Sequence, residues 1–166
     1  MIDASPLIYL AKLDALDVFE SAGYRPFITP EVERETASAG LAYQHPDAAL
    51  IAEQIRTGTL ERSELTASEQ QEAERLMKAS GGLDRGEAEA LAAAALRGLP
   101  VLLFERRATR LAASLGVSAW TPIEILIAGT RDLGLMRARV LAFARLVNMR
   151  FADLESLLQR VEDDDR

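Results

Sequence analysis

The chain has 166 residues, of which 49% are apolar and 27% charged, and a formal net charge of −7. That length suits one compact domain with a real core. The net acidity argues against a broad basic face for gripping nucleic acid, and the absence of cysteine excludes disulfides and thiolate metal sites. No run of about 18 apolar residues is present, as a membrane span would need. No basic segment followed by an apolar stretch opens the chain, so a cytoplasmic protein is the expectation.

Ile2-Asp3-Ala4 is a short apolar segment around one acid. Ser5 is a good N-cap and Pro6 suits a first helical position, and Leu7, Ile8, Leu10, Ala11 and Leu13 follow at helical spacing. A strand therefore ends near Asp3 and a helix starts at once. In an open α/β sheet that junction lies where ligands bind. Only Met1 and Ile2 precede the acid, fewer residues than a central strand usually has, which leaves room for a start upstream. The apolar surplus of Leu7, Ile8, Leu10 and Leu13 exceeds one buried stripe, and a homodimer through this helix and the helix after Ser80 is expected.

Phe27-Ile28 reads as a second strand, and Thr29-Pro30-Glu31 opens a helix to about Ala37. A helix over 47–56 ends before Gly58, and a weak strand lies within 60–65. Thr66 and Glu69 form a capping box for a helix to about Ala79. Gly81-Gly82 breaks it, and the glycine-rich turn through Gly86 follows no strand, so it is not a phosphate loop. The alanine-rich stretch 87–97 is helical, with Gly98 as its stop. Val101-Leu102-Leu103-Phe104 has the continuous apolar character of a parallel strand buried on both faces. A helix over 107–115, a strand over 117–120, a helix capped by Thr121-Pro122 and helices over 136–147 and 152–161 complete the chain, before the acidic tail 162–166. Strands alternating with helices predict one α/β domain over 1–166, a central parallel sheet flanked by helices in three layers.

Four acids stand at strand ends or early in helices: Asp3, Glu35, Glu87 and Glu105. Hard divalent cations take oxygen ligands, so a few convergent carboxylates suffice to hold one. Such an ion activates water and stabilises charge developing on a phosphodiester. Asp3 carries the most weight, because a carboxylate inside an apolar strand is costly unless paired or metal-bound. Glu35 alone reads as surface acid, Glu87 as a first-turn acid favoured by the helix dipole, and Glu105 as either a strand-end ligand or an ordinary turn. His45 is the only histidine, so no histidine-based site is expected. Trp120 is read as core.

Together these residues resemble a known family. The segment from Ile2 to Leu13 is similar to the opening of PIN-domain proteins, especially the DUF3368 branch. Leu83-Asp84-Arg85-Gly86-Glu87-Ala88-Glu89 resembles that branch's G-E-x-E helix start, and Pro30-Glu31-Val32 followed by Glu35 resembles its P-x-x-V-x-x-E segment. Residues 102–107 fall where the family has an apolar strand ending in acids. The resemblance runs from about Met1 to Leu135. It implies a VapC-like, metal-dependent endoribonuclease, often the toxin of a toxin–antitoxin pair, acting on RNA with Mg²⁺ or Mn²⁺ and held in check by a small antitoxin protein. It places Asp3, Glu35, Glu87 and Glu105 as the acids, with Asp3, Glu87 and Glu105 on the metal. It gives Ser5 and Thr121 supporting roles, Ser5 by hydrogen bonding to the first acid. Relatives commonly carry Asp-Asp after the third strand; here Glu105-Arg106 stands instead, which sets a cation beside the proposed ion. The alternative is a degenerate PIN module that binds RNA or a partner without cutting.

Overall fold

A computed structural model describes residues 1–150. The elements in chain order are α1 (Ala4–Lys12), α2 (Val18–Ser21), β1 (Phe27–Ile28), α3 (Pro30–Glu33), a π-helical turn (Arg34–Ser38), α4 (Ala39–Ala42), α5 (Pro46–Thr57), β2 (Glu61–Arg62), α6 (Ala67–Ser80), α7 (Arg85–Arg97), β3 (Val101–Leu102), α8 (Arg106–Ser114), β4 (Ala119–Trp120), α9 (Pro122–Ala128) and α10 (Leu133–Leu146). The α/β alternation is as the sequence predicts, although the strands are short. The expected helix over 152–161 and the acidic tail lie outside the described residues.

Strands β1 and β2 pair in parallel, as do β3 and β4. The first residues join the two pairs. Ile2 forms a parallel bridge with Leu102, and its N–H donates to the Phe27 carbonyl at 2.9 Å. Leu102 N–H donates to the Met1 carbonyl at 2.9 Å, and Asp3 N–H to the Leu102 carbonyl at 3.1 Å. Met1–Asp3 is thus the central rung of a parallel sheet.

Strand side chains alternate between faces, and two hydrophobic clusters show where each face goes. Ile2, Ile28 and Leu102 enter a cluster with α1, α2, α9 and α10. Met1, Val101 and Leu103 enter another with α6, α7 and α8. A helical layer therefore packs on each side of the sheet. The alternation also assigns Asp3 to the Met1 side, facing α7.

The start of α1 departs from the sequence reading. Asp3, with extended backbone (φ −82°, ψ 163°), is the N-cap, so the helix begins before Ser5 rather than after it. The apolar surplus that suggests a homodimer is used inside the subunit: Leu7 and Leu10 are fully buried, and Ile8 and Leu13 pack against the same core.

The helix opened by Thr29 runs past the expected end at Ala37, through the π turn to Ala42. A local cause is visible. The buried Thr36 hydroxyl donates to the Val32 carbonyl four residues back, at 2.7 Å, a bond that competes with the backbone ladder and distorts helices. Gly40 then lets α4 approach α5, since a Cβ there would lie 2.5 Å from the Ala48 Cβ.

Candidate metal and phosphodiester site

The sheet and α7 together build the site. Asp3 leaves the central rung on the α7 side and is 3% exposed. On α7, Asp84 and Glu87 form a reciprocal capping box. Glu87 N–H donates to Asp84 Oδ1 at 2.8 Å, and Asp84 N–H donates to Glu87 Oε2 at 3.2 Å. The helix thus starts at Arg85, two residues earlier than expected, and the cap fixes both carboxylates at its mouth. Glu87 is 7% exposed; Asp84 is open to solvent.

The carboxylates hold one another in an unfavourable field. Burial, helped by Glu87 and Asp84, pushes Asp3 up to about 7, against the pull of the Ala4 and Ser5 backbone N–H groups. Burial also raises Glu87, with Asp84 and Glu105 adding to the effect and Arg107 opposing it. Glu35 rises to about 7 through burial and then through Asp84 and Glu31. Repulsion among buried like charges disfavours their ionised forms, and a bound cation reverses that balance.

Glu35 reaches the group from the π turn. Such turns recur at functional sites because they re-aim side chains. Its carboxylate lies against Gly86, where a Cβ would stand 3.1 Å from Oε2 and 3.5 Å from Asp84 Oδ1. Gly86 is thus the residue that admits Glu35 to the mouth of α7. Glu105, the N-cap of α8, is exposed and makes no side-chain cap hydrogen bond. Leu103 faces the α7 side, and Glu105 lies two residues on, close enough to act on Glu87.

Asp3 and Glu87 are brought together, Glu105 stands at the rim, and Glu35 approaches through Asp84. Among the described residues, no three acidic or histidine side chains converge closely enough to hold one ion jointly. Asp84 is the acid that sequence reasoning passed over. The available signal was its D-x-x-E spacing to Glu87, a capping box with aspartate in the cap position.

The structure places the two supporting residues as follows. Ser5 acts on Asp3 through its backbone N–H. The Thr121 hydroxyl bonds Glu124 Oε2 at 2.8 Å in the capping box of α9, which makes it a structural cap. Arg106 forms no ion pair with Glu105 among the described residues, and the cation that acts on Glu87 is Arg107. The physical reason is helical phase. Residue 106 begins α8, so side chains there step by helical rather than strand periodicity.

Residues 1–160 match the family DUF3368, described as a PIN domain. No curated protein and no solved structure matches the chain.

Proposed function

Because this chain belongs to the DUF3368 family of PIN domains, a nuclease-type fold, we propose that it is a metal-dependent endoribonuclease that hydrolyses RNA phosphodiester bonds, as the VapC-like toxin of a toxin–antitoxin pair. The observation that carries this reading is the burial of Asp3 against Asp84 and Glu87 at the end of the central rung, with Glu105 at the rim.

The donor set suits a hard divalent cation, Mg²⁺ or Mn²⁺. Every candidate ligand is a carboxylate oxygen, and the acids repel one another in the absence of a counter-charge. Mg²⁺ keeps several waters and binds through one or two carboxylates plus substrate phosphate, so three convergent side chains are not required. Asp3, Glu87 and Glu105 are the proposed ligands, with Asp84 added on the geometry. The ion supplies Lewis acidity toward the phosphodiester and lowers the pKa of a bound water. The capping box holds the Glu87 carboxylate in one orientation and leaves its second oxygen uncommitted. Glu35 closes the acid group from the π turn.

Two further parts of the proposal rest on the family resemblance: a small antitoxin protein as partner and a homodimer. Inspection of the neighbouring gene for a small antitoxin, followed by co-purification, tests the first. Sedimentation at tens of micromolar tests the second.

The direct test is cleavage of labelled RNA by the full chain with Mn²⁺, Mg²⁺ or EDTA. Metal-dependent cutting supports the proposal, and intact RNA under both metals overturns it in favour of a binding module. That second reading predicts RNA binding without cleavage.

Metal should also stabilise the fold, because a ligand that binds only the folded state adds stability by mass action. At tenfold excess over its Kd, Mn²⁺ should raise Tm by about 4 °C. A melting curve unmoved by millimolar metal would remove the site.

Asp84 separates structure from chemistry. Asp84→Asn keeps a good N-cap and should change stability by only a few tenths of a kcal/mol, whereas Asp84→Ala should cost about 1 kcal/mol. Both remove the charge, so both should weaken the Mn²⁺-induced rise in Tm. An undiminished rise in the asparagine variant would exclude Asp84 from metal binding.

A further inference from the structure

Several arginines of this acidic chain are neutralised where they stand. Arg56 pairs with Glu53 at 2.6 Å, Arg75 with Glu72 at 2.6 Å, Arg85 with Glu89 at 2.8 Å, and Arg97 with Glu69 at 2.6 Å. Helix α8 is different. Its Arg106, Arg107 and Arg110 are exposed and form no ion pair among the described residues. The spacing 106, 107, 110 puts all three on one side of the helix, as i, i+3 and i, i+4 neighbours. The opposite side carries Ala108 and Ala112, both fully buried in the core shared with α6 and α7.

Arg106 and Arg110, four residues apart and without an ion pair among the described residues, are like charges that weaken a helix, and Arg107 feels Glu87 without forming an ion pair with it. The ridge also has a fixed position. Arg107 lies over the turn between α6 and α7: a Cβ on Gly82 would meet its guanidinium, with Cζ at 3.2 Å. Gly82 has φ +140° and stands two residues before Asp84. The ridge therefore begins at the mouth of the carboxylate group and leads away from it along α8.

We propose that this ridge is the track for the substrate's phosphates, with Arg107 holding the phosphate at the carboxylate site and Arg106 and Arg110 holding its neighbours on a single RNA strand. The inference rests on the ribonuclease reading and names the surface by which that substrate is held. It also resolves the charge problem, since a chain of net charge −7 needs a local cationic surface to bring a polyanion to a cluster of acids. Guanidinium groups suit phosphate because they offer several donors in a fixed planar fork.

The test is binding of a fluorescent single-stranded RNA to the full chain with EDTA present, so that no cleavage intervenes, across a salt series. Proteins compared are wild type, R107Q, the triple variant R106Q/R107Q/R110Q, and R75Q as a control at an exposed arginine of α6 that is paired with Glu72. All four substitutions are at exposed positions, and equal Tm values check the folds. Each arginine–phosphate pairing removed should flatten the slope of log K against log salt by about 0.7. The triple variant should thus lose about 2 from the slope and bind more than about tenfold more weakly, with R75Q unchanged. Wild type that binds RNA, alongside a triple variant with the same affinity and slope, overturns the ridge and leaves the ribonuclease reading intact. Wild type that neither binds nor cuts RNA overturns both. Polyglutamate binding as tight as RNA, and equally dependent on the three arginines, also overturns the track and assigns the ridge to an acidic polypeptide.

Discussion

Asp3→Asn is expected to reduce RNA cleavage by more than about 100-fold while leaving the protein folded. The figure is a lower bound: loss of groups that merely orient metal ligands costs about 10- to 100-fold, and Asp3 is proposed as a ligand itself. Asparagine keeps the shape and one oxygen but lacks the negative charge a hard cation requires. The fold is expected to survive because the Asp3 side chain is not what holds α1. As N-cap it makes no side-chain cap hydrogen bond, and the central rung is secured by backbone bonds from Ile2, Asp3 and Leu102. Replacing a buried carboxylate with a neutral amide should leave the metal-free Tm equal or higher. The measurement is cleavage rate under saturating Mn²⁺, with circular dichroism and Tm of both proteins. Cleavage at the wild-type rate would remove Asp3 from the mechanism. Loss of activity together with loss of fold would show that its role is structural.

Arg97→Ala is expected to be the most destabilising of these changes, by about 3 kcal/mol. Arg97 closes α7, and its guanidinium clasps Glu69 in the first turn of α6, with Nε to Oε1 at 2.6 Å and Nη2 to Oε2 at 2.9 Å. It also donates to the Ser63 hydroxyl and, at 2.9 Å, to the Glu64 carbonyl. One side chain thus joins α7 to α6 and to the loop after β2. Glu69 is 3% exposed and also accepts from Thr66 N–H at 2.7 Å in the capping box. Without Arg97 its charge stays buried with Thr66 as its remaining support. The Arg97 guanidinium is the largest cause of Glu69 being held down at about 2, well under the usual carboxylate range. A depressed folded-state pKa gives stability that is complete above the unfolded value, about 4.3, and is lost as pH falls through the folded one. The gap between wild type and variant should therefore be widest at neutral pH and close between about pH 4.5 and 2. Urea denaturation at pH 7, 4 and 2.5 checks both magnitude and sign. A gap that stays constant with pH would mean that Arg97 acts by packing alone.

Much of the chain's local structure is legible in its residues. Thr66 with Glu69, Thr121 before Pro122 and Thr29 before Pro30 announce three helix starts, and all three caps form. Gly58 and Gly98 end their helices in the left-handed conformation, φ +78° and +65°. These signals are legible because a cap is made by residues three apart on one chain and needs no other element. The start of α1 misleads because Ser5 and Pro6 imitate a cap just inside the helix, whereas the sheet pins Asp3 by its backbone and the helix begins there instead.

The identity of the acids is partly legible in the same way, and their grouping is not. The cost of burying Asp3 marks it from its apolar surroundings alone. Its neighbours come from elsewhere. Asp84 reads as part of a turn, and its place near Asp3 follows from α7 packing on the Met1 side of the sheet. Arg106 reads as the cation of the site, and Arg107 holds that position because α8 begins at residue 106. The arginine ridge has no sequence signature either, because Arg56, Arg75, Arg85 and Arg97 carry the same charge and differ only in having found a glutamate.

The sequence by itself therefore determined the α/β alternation, the caps, the family and the likeness of the Asp3 and Glu87 segments to it. These depend on short-range spacing and on the cost of placing charge in an apolar run. The tertiary structure decided which carboxylates face each other, that the leucines of α1 fill the subunit's own core, and that the arginines of α8 form no ion pair with a glutamate among the described residues. Those outcomes depend on which side chains share a space, and charges interact across distances that chain separation does not measure.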